Sequence, residues 1–121
     1  LPSLPTQAAA VPRTLVFDEI DTGVGGRVAE SVGRRLQDLA RGHQVLCVTH
    51  LPQVAGFADA HYFVEKCEDS KKTFATLAEL SEPERVAELA RMLSGESVTA
   101  SAVEHAQQIL KTHRRKTARV V

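Results

Sequence analysis

Cysteine is scarce in this sequence: Cys47 and Cys67 are the two in 121 residues. Two cannot build a dense disulfide framework, and their spacing fits no metal motif. Cys47 lies within Val45-Leu46-Cys47-Val48, where a reduced, buried thiol behaves as a small hydrophobe, so a cytoplasmic chain is the natural expectation. Long apolar runs are missing too. None approaches the roughly 18–20 residues that a membrane span needs, and the first residues lack the basic start and apolar core of a signal peptide. Neither sign of charge is in excess, with 15 Lys and Arg against 15 Asp and Glu. Any nucleic-acid contact must then come from a local patch rather than from the whole molecule. No internal repeat, low-complexity segment or long heptad stretch occurs. The chain opens Leu1-Pro2-Ser3 instead of with methionine, which leaves a fragment, a processed chain or an engineered piece open.

What is present is 43% hydrophobic and 25% charged residues, the balance of a soluble globular chain with length for one ordinary core. Residues 1–12, rich in proline and alanine, read as a loose lead-in. Residues 13–17 read as a short buried strand. The segment 26–41 predicts a helix with Val28, Val32, Leu36 and Leu39 on its apolar face, Glu30 and Arg34 as an exposed i,i+4 pair, and Gly42 closing it. A second apolar strand follows at 43–49, so the three elements make a βαβ unit with parallel strands covered on both faces. A short helical segment is expected near 51–57. Two more strands, 61–66 and 73–80, are joined by the charged turn Cys67-Glu68-Asp69-Ser70-Lys71-Lys72. Ser81-Glu82-Pro83-Glu84 is a capping box with proline in the first turn. It opens a helix with Val86, Leu89, Ala90 and Leu93 as its stripe and Gly95 at its end. A last helix spans about 100–112, with Val103, Ala106 and Leu110 facing inward.

The chemistry concentrates where the first strand ends. Leu15-Val16-Phe17 runs into Asp18-Glu19, then Asp21, then the glycines Gly23, Gly25 and Gly26. In open α/β sheets ligands bind outside the carboxyl ends of parallel strands. Adjacent acids there point in different directions and can hold different roles, one toward Mg²⁺ and one toward an attacking water. Taken alone, such a pair is more often a solvated strand end. The second strand, however, ends in Thr49-His50 at the same expected edge, and a histidine there can donate to a terminal phosphate. Across one crossover, the two ends make one site.

Asp18-Glu19-Ile20-Asp21-Thr22-Gly23-Val24-Gly25-Gly26, followed by Gln44 to Asp59, resembles the RecN family of bacterial DNA repair proteins. That family is related to the structural-maintenance-of-chromosomes (SMC) ATPases and, more widely, to the ABC-type ATPases. The likeness continues through Glu84 to Glu96 and Ala102 to Leu110, so it covers about residues 13–112. It implies an α/β fold: the parallel-sheet core of a P-loop ATPase head of ABC/SMC type, its C-terminal lobe, with two C-terminal helices and a basic tail at 113–121. By that resemblance Leu15 to Asp18 form the Walker B strand, Asp18 is the magnesium-side acid, Glu19 the catalytic base and His50 the switch histidine. Asp21, Thr22, Gly23, Gly25 and Gly26 occupy the D-loop region, which contacts nucleotide and a second head. The aspartate that SMC proteins carry in this loop would fall near Gly25, so that contact must be made differently here.

The resemblance also implies ATP and Mg²⁺ as cofactors, recombinational repair of DNA double-strand breaks as the function, and DNA as a partner of the full-length protein. It implies a cytoplasmic, nucleoid-associated location and no membrane partner. The chain lacks a G-x-x-x-x-G-K-[ST] phosphate loop, and Gly23 to Gly26 is not followed by the lysine that would supply one. The serine-glycine-glycine ABC signature is missing as well; Ser94-Gly95-Glu96 follows a helix and reads as a helix end. The partners expected are therefore the remainder of the same head and a second head, and the isolated chain is expected to be inactive. Two alternatives stand beside this reading, a truncated non-catalytic interaction module and the ATPase subunit of an ABC transporter. His61 and His105 lack ligand partners at metal spacing and read as structural or exposed, and Gln53, close after His50, reads equally as a contact of the site or a helix-surface residue. The basic tail Lys111 to Arg119 reads as a solvated terminus ahead of a contact to DNA phosphates.

Overall fold

The computed structural model describes residues 11, 13–18, 23 and 25–114. The expected lead-in, apart from Val11, and the tail beyond Arg114 lie outside them. The length suggests one core, but the chain divides into two compact units, Leu1–Phe57 and Ala58–Val121.

The first unit is a βαβ arrangement closed by a short helix. Strand β1 (Thr14–Asp18) is followed by α1 (Gly26–Leu39), β2 (Gln44–Val48) and α2 (Pro52–Ala55). β1 and β2 pair in parallel, from Thr14 opposite Gln44 to Asp18 opposite Val48. Phe17, Val45 and Cys47 turn to one side and pack, with Val32 and Leu51, against the buried Ala29, Leu36 and Val54. The apolar face of α1 is rotated from the expected one. Ala29, Gly33 and Leu36 are buried, whereas Val28 and Leu39 are exposed. The glycine is the reason: a Cβ at Gly33 would stand 2.3 Å from Cδ2 of Phe57, so the helix turns its smallest residue to that ring. After Leu39 the chain tightens, with the Gly42 amide donating to the Leu39 carbonyl at 3.2 Å.

The expectation that both sheet faces are covered is corrected here. Both helices of this unit follow the alternation onto one face, and the other carries Val16, Leu46 and Val48 at 65%, 48% and 56% exposure. All three are β-branched or aliphatic, so the strands read as continuous apolar runs although one face lies open.

The second unit begins with an antiparallel hairpin, β3 (Tyr62–Asp69) and β4 (Lys72–Glu79). The charged turn expected at 67–72 is mostly strand. Cys67 pairs with Phe74 and Asp69 with Lys72, leaving Ser70 and Lys71 as a two-residue loop, where the Ser70 amide donates to Asp69 Oδ1 at 2.8 Å. Two-residue loops are the commonest hairpin connection, which is why the ladder runs so far. Two helices follow, α3 (Glu82–Ser94) and α4 (Ala100–His113), and pack on each other. The capping box forms as expected: the Glu84 amide donates to Ser81 Oγ, and the Ser81 amide donates to Glu84 Oε1 at 2.8 Å. The bond from the Ser81 amide, and then one from the Ser81 side chain, hold the Glu84 carboxyl below its usual range. Thr99 caps α4 by accepting from the Ala102 amide at 3.0 Å. Leu89, Ala90, Ala106 and Leu110 of the expected stripes are buried, Ala102 and Ile109 join them, and Val86, Leu93 and Val103 are half-buried. Gly95, at φ 78°, ends α3 in a backbone region that favours glycine.

Candidate functional site

Parallel pairing brings the carboxyl ends of β1 and β2 to one edge. Asp18 is the last residue of β1 and stands in register with Val48, so Thr49 and His50 emerge just beyond its partner. Asp18 and His50 are both exposed. The start of α1 follows β1 at this same edge. Gly25 is its N-cap and Gly26 its first residue, and the Ala29 amide closes the first turn on the Gly25 carbonyl at 2.8 Å. Gly23 adopts φ 82°, a conformation that side-chain-bearing residues seldom take. At Gly23, Gly25 and Gly26 nothing described comes within 4 Å of where a Cβ would stand. Glu19, Asp21 and Thr22 lie outside the described residues.

His50 is the middle residue of the three-residue link between β2 and α2, and the link is tied. Thr49 Oγ1 accepts from the Leu51 amide at 3.0 Å, spanning the histidine. Leu51 is the N-cap of α2, and its carbonyl receives the amides of Val54 and Ala55 at 3.1 and 3.0 Å. Sequence reading did not single out Thr49; a hydroxyl one residue before the candidate histidine, ahead of a proline-started helix, is the available signal. Gln53 is half-buried on α2.

Among the described residues, no group of three or more His, Cys, Asp and Glu side chains is arranged to hold a metal. Magnesium asks for less: one or two carboxylates, with phosphate oxygens and water completing its octahedron. An exposed carboxylate at a strand end, as Asp18 is, fits one arm of such a shell.

Among the described residues, the groups whose pKa is shifted all belong to the second unit. His61, at the root of β3, is half-buried. Burial first, then the neighbouring Arg85 guanidinium, lower its pKa, against a smaller opposing pull from Glu88. Burial likewise lowers that of Arg85. His105 is exposed, and Arg114, the last described basic residue, pairs with Glu82. No helix among the described residues is long and apolar enough to cross a membrane.

No protein-family model matches the chain. Against curated proteins it is 50% identical over 101 residues to the DNA repair protein RecN of Streptomyces coelicolor, covering 84% of this chain and 18% of that protein. It is 50% identical over 103 residues to that of Mycobacterium tuberculosis (85% and 17%) and 44% identical over 98 residues to that of Bacillus subtilis (81% and 17%). The chain thus spans less than a fifth of the length of these relatives. Its fold is similar to a solved structure from work on ATP-driven dimerization and DNA-stimulated activation of SMC ATPases. The TM-score is 0.54 at 14% identity, covering 69% of this chain and 50% of that one.

Proposed function

Because the chain belongs to the RecN family over the residues it spans, we propose that it is the Walker B, D-loop and switch-histidine portion of an ATPase head. That head acts in recombinational repair of DNA double-strand breaks. The observation that carries this reading is the parallel register of β1 and β2, which sets Asp18 and Thr49-His50 at one sheet edge beside the glycine-rich start of α1. In this reading residues 13–112 are the C-terminal lobe of the head, within a cytoplasmic, nucleoid-associated protein.

Each residue has a role the chemistry requires. Asp18 would hold Mg²⁺, through a water, and the ion when bound neutralises charge on the β- and γ-phosphate oxygens. Glu19 polarises the water that attacks the γ-phosphate in line. His50 donates to the terminal phosphate and so reports whether it is present. Asp21, Thr22, Gly23, Gly25 and Gly26 contact nucleotide and a second head. Among the described residues nothing comes within 4 Å of where a Cβ would stand at Gly23, Gly25 or Gly26, which supports this, since glycine lets another backbone or a phosphate approach closely. The open face of Val16, Leu46 and Val48 supports the remainder of the same head as a partner that covers it. ATP binding between two heads drives their dimerisation, and hydrolysis releases it. The 121-residue chain alone, which has no phosphate loop, does not turn over ATP; magnesium-dependent turnover that Glu19→Gln abolishes would contradict that.

The test needs a full-length head reconstituted around this chain, with nucleotide affinity, dimerisation and turnover measured on three variants. Glu19→Gln keeps size and hydrogen bonding, so it should retain ATP binding and a stable dimer while turnover falls about 10²–10⁴-fold. Asp18→Asn should weaken affinity and turnover together. His50→Ala should slow turnover about 100-fold with a smaller effect on affinity. If Glu19→Gln loses ATP as badly as Asp18→Asn, the division of roles is wrong.

A further inference from the structure

One contact in the first unit is built for more than filling space. Phe57, two residues past the end of α2, is buried, and three residues on a single turn of α1 hold it. The Phe57 ring lies against Gly33, where a Cβ would come within 2.3 Å of it. The Arg34 guanidinium sits 5.3 Å from the ring centroid, a cation–π distance. Gln37 Nε2 donates to the Phe57 carbonyl at 3.2 Å. Face, cation and backbone of one residue are all taken by the same helix turn. A core phenylalanine that only excludes water needs none of the last two.

We propose that this grip is a positioning device for His50, with Phe57 and Gly33 as positioning residues. The segment from Thr49 to Phe57 is held at both ends. At one end β2 pairs with β1 up to Val48 opposite Asp18, and the Thr49 hydroxyl ties to the Leu51 amide. At the other end Phe57 is clamped on α1, the helix that starts in the glycine-rich turn. Between them α2 is buried at Pro52, Val54 and Ala55. The one exposed side chain in the link from β2 to α2 is His50. The histidine is thus held on a bridge whose far pier is the helix following Asp18 to Gly26, so a shift of α1 moves His50 as well. Holding a hydrogen-bond donor in place is worth a large share of its catalytic effect, because small misplacements far from the reacting atoms cost rate. This rests on the role given to His50 above.

Two measurements decide it. In the 121-residue chain, Phe57→Ala and the milder Gln37→Ala should each shift the His50 imidazole resonances and speed amide exchange at Leu51. His43 and His105 serve as internal references. In the reconstituted full-length head, Phe57→Ala should lower kcat about 10- to 100-fold with nucleotide affinity within about threefold. Phe57→Leu should recover part of the loss. In a His50→Ala background, adding Phe57→Ala should cost nothing further, because residues acting as a unit are non-additive. Gln37→Ala, which leaves the ring in place, covers the case in which Phe57→Ala does not fold, and should lower kcat in the same direction with the same dependence on His50. Additive losses, an equal fall in affinity, or unchanged His50 resonances in both variants overturn the proposal while leaving the role of His50 standing. If His50→Ala itself leaves turnover unchanged, the role of His50 fails, and the positioning proposal fails with it.

Discussion

The two units start their helices by opposite means. In the second, α3 opens on Ser81 and Glu84 bonded to each other's backbone, with Glu82 also in the first turn, and α4 opens on Thr99. These side chains satisfy amides that a helix end otherwise leaves bare. In the first, α1 opens on Gly25, which has no side chain to offer, and its first turn holds no acid. A helix whose work is to pack can spend its terminus on a cap. One whose terminus lies at a candidate phosphate-binding edge is better left uncapped, its stability coming from the burial of Ala29, Gly33 and Leu36 and from the grip on Phe57. The second unit is written in local chemistry; the first depends on tertiary contact.

Variants can break or sharpen that contrast. The largest effect should come from Leu89→Ala, since Leu89 is the largest wholly buried side chain of the helix pair. A loss of about 2–5 kcal/mol is expected, read by denaturant melts and by amide exchange across Glu82–His113. Next is Gly33→Ala. Alanine is normally better than glycine inside a helix by about 1 kcal/mol, but the Phe57 ring occupies the space and its neighbours fix it. Net destabilisation of about 1–3 kcal/mol should follow, and a neutral or stabilising result would mean the ring has room to move. Ser81→Ala should cost about 1 kcal/mol, with fraying confined to the first turn of α3. The smallest effect concerns pH. The pKa of His61 is lowered by folding, so below about pH 6.5, the ordinary imidazole value, the unfolded chain binds the proton more readily. Stability of the second unit should therefore fall as pH drops from that value through the lowered folded one. His61→Asn should flatten the profile, and an unchanged acid limb would assign the effect to other groups.

The same division explains what could be read from the residues alone. Ser81-x-x-Glu84 gave the start of α3 to the residue, because a capping box is a local interaction. The parallel βαβ unit and the edge shared by Asp18 and His50 were equally legible, since two short apolar runs around one helix permit few arrangements. The buried face of α1 was not. Hydrophobicity points to Val28 and Leu39, while the deciding residue is Gly33, whose value lies in the atoms it lacks and in a ring 24 positions downstream. The hairpin turn was misjudged for a related reason: charged residues from Glu68 to Lys72 look like a loop, but on strands with both faces exposed they have no reason to break the ladder. The open sheet face was hidden because Val16, Leu46 and Val48 look the same whether a neighbour covers them or not.

That open face has a consequence for folding fidelity. When one face of a strand is polar, a slip in pairing is punished at once; where both faces carry aliphatic residues, the penalty is weaker. Hydrophobicity alone would oppose only weakly a one-residue slip of β1 along β2, which exchanges the faces of its side chains and displaces Asp18 by about 3 Å relative to His50. The polar ends of the strands oppose this. The Thr14 hydroxyl donates to Gln44 Oε1 at 2.9 Å, the Arg13 amide donates to His43 Nδ1 at 3.2 Å, and the Gln44 amide donates to the Arg13 carbonyl at 2.9 Å. These bonds lie at the opposite edge from the acids, where they act as a latch. The alignment of Asp18 with His50 is proofread from the far end of the strands.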